Sequence, residues 1–568
     1  MILFCLCFRV FIAIATRSYF QPDEYFQALE PAHRFVFGYG HLTWEWVNPT
    51  PLRSILYPAL NIPVFYLLKL TGLDVYPVFT IHGPRAVHGM LAALTDIRVG
   101  KLSRAVLGDL SVPFTYLLSL TSFFHSLALS RSLSNSLETS LTTTALGYFP
   151  WAILTMPPSR PRLYVLRSAL PSPSRIFVTF AVLACAVRPT SAIIWIYMFS
   201  ILFWRLRTHV RLMTIVLRDC AVIGLTILLA MFTLDTCFYG KPTLTLVNFL
   251  RVNASPVSLF YGSSPWHYYL SQALPILCTT SLPFALHGVY VAFKYNEAKV
   301  KALVGCIGWT ITVYSFMGHK EWRFLHPLLP MLHVLASRSI IELFIRDEAI
   351  GEVGVDSKSC RSLIHLPLVV PVLLLLPIPA AFYAVFFHGS GQIEVMSYLR
   401  QLPVDDHTTI GFLMPCHSTP WQAYLHREDL ANPGKMWALG CEPPLGVENS
   451  TRYRDQTDVF FESPVTYMKD HFPPCVNSTF PLSPLPSSVP DISFVRTLLA
   501  VERTSGSWDL NWRHEWPKYI VIFGALLREP GMQDLLEKNG YSEVWKGGRE
   551  WEGEGKRKGG VRVWTHVG

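Results

Sequence analysis

Apolar runs long enough to cross a bilayer recur from Met1 to about His388, and a membrane-spanning helix needs only ~20 such residues. They fall at residues 2–20, 77–97, 112–130, 137–156, 176–187, 191–204, 213–234, 270–293, 301–317, 325–345 and 363–388. Backbone immersed in lipid must satisfy its own hydrogen bonds, so residues 1–388 read as an α-helical polytopic membrane bundle of about eleven spans. The pieces at 176–187 and 191–204 are short and read as broken or tilted helices. Only 15% of the 568 residues are charged, against about 25% in soluble domains, which excludes an ordinary cytosolic enzyme.

The connecting loops sort by charge. Arg98, Lys101 and Arg104, then Arg160, Arg162 and Arg167, then Arg205, Arg207 and Arg211, then Lys294, Lys299 and Lys301, then Arg346, Lys358 and Arg361 occupy alternate loops. The positive-inside rule makes those loops cytosolic. The opposite, lumenal side then receives a long first loop of about 21–76, the loops near residues 130–136, 188–190, 234–269 and 318–324, and everything after about His388. The opening MILFCLCFRVFIAIATRS has no basic n-region and reads as a first anchor whose cytosolic tail is missing. The formal charge of +9 resides largely in loops flanking spans, so no nucleic-acid partner is implied.

Residues 389–568 change to Pro, Gly, Trp and short polar segments, with strand-like runs at Thr409 to Met414 and Tyr519 to Phe523. A small mixed α/β lumenal domain is expected there, with the charged residues 546–560 as a solvated tail segment. Asn449 and Asn477 head sequons for N-glycosylation. Cys416 and Cys441 are expected to pair as a disulfide, with Cys475 free or joined to Cys237; the Cys416-His417 adjacency suits no standard zinc site. The 11 cysteines contain no C-x-x-C pair, and the chain has no glycine-rich phosphate loop, no G-x-G-x-x-G and no H-E-x-x-H. Nucleotide-driven chemistry and metalloprotease chemistry are therefore not indicated.

Polar residues cluster at lumenal ends of spans. Asp23 and Glu24 follow the first span in Gln21-Pro22-Asp23-Glu24-Tyr25-Phe26-Gln27. Such a pair is commonly just solvated, but Pro22 restrains its backbone, and a carboxylate held partly out of water can act as a general base. His319, Lys320, Glu321 and Arg323 crowd between two spans, more than snorkelling explains, and the cations suit a phosphate. Glu138 opens a span and Arg188 stands at the break before Pro189; the helix dipole alone accounts for Glu138. Trp266 and His267 belong to an aromatic stretch of the kind that anchors proteins at a membrane interface.

The acidic pair, combined with His319-Lys320-Glu321-Trp322-Arg323-Phe324, resembles the multi-span GT-C glycosyltransferases that use dolichyl-phosphate-mannose. Within them it is similar to the α-1,2/α-1,6-mannosyltransferases of glycosyltransferase family 22, for which H-K-E-x-R-F is a strong motif. Thr43-Trp44-Glu45-Trp46, Leu52-Arg53-Ser54, Ser134 to Thr139, Arg188 to Ala192, Tyr261-Gly262, Pro265 to Tyr269 and especially Leu413 to Trp421 are similar to the branch that adds the third mannose to the glycosylphosphatidylinositol (GPI) core. The resemblance thins around Met156 to Ile176 and after about residue 480. Gln21 stands where the family commonly has His, and no role is assigned to it.

The resemblance implies an inverting transfer of mannose from dolichyl-phosphate-mannose to the 2-hydroxyl of the second mannose of the GPI-precursor glycolipid, at the lumenal face of the endoplasmic reticulum (ER) membrane. Asp23 and Glu24 would be the catalytic pair, either one the base. His319, Lys320, Arg323 and Arg188 would meet the donor phosphate, and Glu321, Glu138, Trp266 and His267 would position substrate. A monophosphate leaving group met by these cations calls for no metal and no cofactor beyond the lipid-linked donor. Two alternatives share these features: a sister enzyme acting on the lipid-linked N-glycan or adding the fourth GPI mannose, and a polytopic transporter or lipid flippase.

Overall fold

Helix occupies part of each of the eleven apolar runs in the computed structural model, which describes residues 1–155, 172–253, 255, 259–260, 262–344, 369–444, 453–483 and 512–567. Five stretches are long and apolar enough to cross a membrane: Pro189–Leu206, Val210–Tyr239, Tyr269–Lys294, Trp322–Phe344 and Val370–Arg400. Ile2–Ala15 and Ser174–Val187 are shorter apolar helices. The basic stretch at 160–167 and the Asn449 sequon lie outside the described residues.

Proline sets the break between 187 and 192. The residue before a proline is pushed out of the α region, and Arg188 is extended, with φ −140° and ψ 109°. The charged side chain therefore projects from a gap between Ser172–Val187 and Ala192–Leu206. Deeper in the helices, Arg9 and Asp96 are both fully buried and pair at 2.6 Å, with Ser119 donating to the same carboxylate, as charges inside a bundle require.

The chain divides into two compact units. The first comprises Met1–Ile14, Val87–Thr233 and Gly262–Phe382; the second comprises Ala15–Ala86, Leu234–Tyr261 and Tyr383–Gly568. The long first loop thus belongs to the same unit as the C-terminal residues.

At the centre of the second unit is a five-stranded sheet of β1 (Ile410–Leu413), β2 (Met436–Ala438), β3 (Tyr519–Phe523), β4 (Tyr541–Gly547) and β5 (Val561–His566), in the order β2-β1-β3-β5-β4. The first three strands run parallel and the last two form an antiparallel hairpin beside β3. Side chains alternate across a strand. Ile410, Phe412, Val521 and Phe523 accordingly face one core, shared with Tyr25, Phe26 and Leu29 of the first loop and with the helix Gly391–Arg400. Leu413, Ile520 and Ile522 face a second core with Phe460, Tyr467 and Leu536. Gly411 is required on that side, because a Cβ there would lie 2.7 Å from the Trp437 ring.

Residues 546–560 are mostly exposed, as a solvated segment would be, but they are a connection rather than a tail. They end β4 and connect it to β5, and Glu552 accepts hydrogen bonds from Tyr383 at 2.7 Å and His388 at 3.0 Å. Their charge density concealed a hairpin whose ends are strand.

Candidate active site

The acidic pair opens a helix in the second unit. Pro22 supplies a carbonyl that accepts from both the Tyr25 and Phe26 amides, at 3.0 Å each, and a proline costs nothing in a first turn, where its missing N–H has no partner to lose. The turn then widens into π-helix over Tyr25–Leu29 before continuing as α-helix over Glu30–Phe37. Such bulges are frequent at functional sites. The Trp46 indole donates to the Phe26 carbonyl at 3.1 Å, while Glu45 receives Gln27 at 3.1 Å and the Arg53 fork at 2.6 and 2.9 Å. The Trp44 to Ser54 stretch therefore braces the acidic helix.

Asp23 is partly exposed, whereas Glu24 is only 2% exposed. Arg85, also buried, donates to the Thr16 carbonyl at 2.7 Å, bonds the Tyr25 hydroxyl, and places its charge near Glu24. Sequence reading missed Arg85. Its signal was an arginine after Pro84 inside an otherwise apolar run.

Glu30, one turn further on, is fully buried and accepts from the His41 and Ala423 amides. Burial pushes its carboxyl up to about 8. A carboxyl whose folded pKa exceeds its unfolded value stabilises the fold below the unfolded pKa and loses that contribution as pH rises through the folded one. Glu30→Gln should therefore gain in melting temperature relative to the parent as pH goes from about 4.5 to about 8. Thermal unfolding in detergent at pH 5 and pH 8.5 checks it, and a pH-independent difference would contradict it.

The basic cluster lies in the first unit. Glu321 is extended, with φ −132° and ψ 144°, ahead of the 3₁₀ turn Trp322–Leu328. It receives Arg323 through Nε at 2.6 Å and Nη2 at 2.8 Å, and His319 Nε2 at 3.2 Å. Desolvation pushes the Glu321 carboxyl up, but the Arg323 charge and the bonds from His319 and Arg323 outweigh it and hold it well below the usual range. The bond to Glu321 raises His319 against the opposing effect of burial. Lys320, 6% exposed, donates to the Ser264 carbonyl at 2.8 Å, and burial draws its amine down.

Arg188 and Glu138 join this cluster. Arg188 lies 3.1 Å from Glu138 and donates to Ser134 at 3.0 Å and Asn135 at 3.3 Å, while Asn135 donates to the Arg323 carbonyl at 3.3 Å. Arg188 and Arg323 also both lie over the Phe324 ring, at 5.4 and 5.9 Å. An asparagine and a shared aromatic face thus bring the two arginines close, each already paired with a carboxylate; guanidinium groups are chemically suited to an anion. Trp266 and His267 are exposed and pack against each other, with His267 on Ser271. Their neighbours Tyr268 and Tyr269 are the residues that reach the backbone of Trp322 and Glu321.

Cys416 and Cys441 form a disulfide, and Cys237 and Cys475 are free. His417 Nδ1 lies 3.7 Å from the Cys441 sulfur, but sulfurs bonded to each other are not thiolate ligands, so this grouping does not constitute a metal site. The bridge spans 25 residues. Opening it with Cys416→Ser should cost about 3 kcal/mol, read as a lower denaturation midpoint; an unchanged midpoint would mean the bridge carries no stability. Asn477 is exposed and carries its sequon in a turn in which Thr479 donates to its side chain.

Helical membrane spans in one chain with a mixed α/β portion, and a charged motif between spans, are the layout expected of membrane-embedded glycosyltransferases. The fold agrees: the structure of ArnT from Cupriavidus metallidurans bound to undecaprenyl phosphate superposes with a TM-score of 0.55 at 12% identity, over 100% of this chain and 97% of that one. This is the GT-C fold. A sequence model of the Alg9-like mannosyltransferase family matches residues 1–426, and the chain belongs to that family. GPI mannosyltransferase 3 of Yarrowia lipolytica is 35% identical, over 83% of this chain and 82% of its own length. GPI alpha-1,2-mannosyltransferase 3 of Mus musculus is 32% identical, over 83% and 79%.

Proposed function

We propose that this mannosyltransferase moves mannose from dolichyl-phosphate-mannose to the 2-hydroxyl of the second mannose of the GPI precursor, at the lumenal face of the ER membrane. The observation that carries this reading is the likeness to GPI mannosyltransferases 3 across more than four fifths of the chain. The alternate basic loops and the exposed Asn477 sequon support the lumenal assignment.

In this reading the acceptor oxygen attacks mannose C1 from the face opposite the phosphate. The C1–O bond to phosphate breaks, dolichyl phosphate leaves, and the α-1,2 bond forms with inversion. Asp23 takes the acceptor proton, because it is the more exposed of the two carboxylates, whereas Glu24 is buried near the Arg85 charge and positions the acceptor through the helix. His319, Lys320, Arg323 and Arg188 hold the donor phosphate and meet the charge that grows on it. Glu321 and Glu138 orient those cations. Trp266 and His267, exposed beside Ser264, position substrate at the membrane surface. A monophosphate leaving group met by four cations needs neither metal nor cofactor.

Complementation tests the acceptor. In Yarrowia lipolytica cells lacking their own GPI mannosyltransferase 3, expression of this chain should restore GPI-anchored surface protein and remove the accumulated two-mannose precursor. Persistence of that precursor despite membrane-inserted protein would count against the third-mannose assignment.

A further inference from the structure

The stretches His41 to Val47 and Met414 to Trp421 have no part in the chemistry above, yet both line one cleft within the second unit. The cleft is partly open to solvent and lined mostly by apolar surface with a few polar groups, as ligand clefts are. Its walls combine the rings of Trp44, Phe412 and Trp421 with Thr43, Thr419 and Glu442. A pyranose offers an apolar C–H face to aromatic rings and hydroxyls to such polar groups.

Two independent observations point to a ligand. The Thr43 hydroxyl is buried, on a residue 6% exposed, and has no hydrogen-bond partner among the described residues. Thr43 precedes the helix Trp44–Val47, where a threonine ordinarily caps the first turn, but its side chain makes no such bond. A buried hydroxyl left without a partner is costly, so it calls for a hydrogen-bonding group from outside the described residues. The second observation is continuity with the acidic helix. Phe26, three residues beyond Asp23, lines the cleft with its ring 4.5 Å from that of His417. Tyr19 holds the His417 carbonyl, and Asp23 is near enough to act electrostatically on the His417 ring.

We propose that this cleft binds the oligosaccharide of the acceptor glycolipid, with sugar rings on Trp44 and Trp421 and a hydroxyl bonded to Thr43, so that the reacting mannose is presented to Asp23. The inference rests on the mannosyl-transfer reading and names the acceptor subsite. The Cys416–Cys441 bridge joins the two segments that form one wall, which gives the Met414 to Trp421 stretch a role in selecting the acceptor.

The test uses the full-length protein in detergent micelles and the lipid-free glycan of the two-mannose GPI precursor, followed by tryptophan fluorescence. The parent should bind, Thr43→Val should bind about five- to tenfold more weakly, and Trp44→Ala should lose both affinity and part of the signal. Thr43→Val keeps the side-chain shape, so its melting temperature reports whether the fold is intact. Equal binding by the parent and an intact Thr43→Val would overturn the proposal. So would displacement of the glycan by dolichyl phosphate, which would assign the cleft to the donor. Transfer measured on the same samples separates the two claims: glycan binding without mannose transfer would count against the proposed function and leave the cleft standing.

Discussion

Asp23→Asn is expected to abolish mannose transfer while leaving expression, membrane insertion and melting temperature near those of the parent. Asn matches Asp in size but cannot take a proton, and a positioned general base is worth about 10²–10⁴ in rate. The fold has little reason to respond, because Asp23 is partly exposed and the helix it opens is held by the Pro22 carbonyl, the Trp46 indole and the Glu45–Arg53 pair. Glu24→Gln should behave differently, since Glu24 is 2% exposed and its charge acts on the buried Arg85: removing a negative charge from the surroundings of that cation destabilises the unit. Rate loss without stability loss at Asp23, set against combined losses at Glu24, would divide the roles between the two carboxylates. Turnover retained by Asp23→Asn would remove it as the base.

Arg323→Lys is expected to lower turnover by about 10- to 100-fold, since each charge-assisted hydrogen bond contributes about 1.5–3 kcal/mol and 1.4 kcal/mol is about tenfold in rate. Charge is retained in this variant; the planar fork is lost. Arg323 uses that fork on Glu321 through two nitrogens while the guanidinium lies over Phe324, and a lysine ammonium does not reproduce this planar arrangement. The defect should grow at low donor concentration, because the donor phosphate is what the cluster is proposed to hold. Kinetics matching the parent across donor concentrations would reduce Arg323 to a structural role.

Much of this was legible in the chain because it depends on local chemistry. Hydropathy located the helices, and the proline after Arg188 located the break at which it stands. The density of charge at His319 to Arg323 marked a motif that membrane burial alone does not explain. What escaped reading depends on pairing across long stretches of chain. β1 meets β3 through Ile410 and Tyr519, and β2 has only three residues, so neither partner choice is written in a local pattern. The hairpin of β4 and β5 was hidden by the charged connection between its strands. Arg85 and Glu30 looked like ordinary helix residues, because the contacts that define them come from Thr16, Tyr25, His41 and Ala423. The cleft could not be anticipated either: its walls are brought together from segments some 370 residues apart in the chain.

The central claim is best tested with purified protein in detergent, labelled dolichyl-phosphate-mannose, and two acceptors offered side by side: the two-mannose GPI precursor and an N-glycan lipid intermediate. The account predicts that only the GPI precursor gains label, in a bond cleaved by an α-1,2-mannosidase, and that the Asp23→Asn protein gives none. Label on the N-glycan intermediate alone would contradict the proposed acceptor while leaving the family intact.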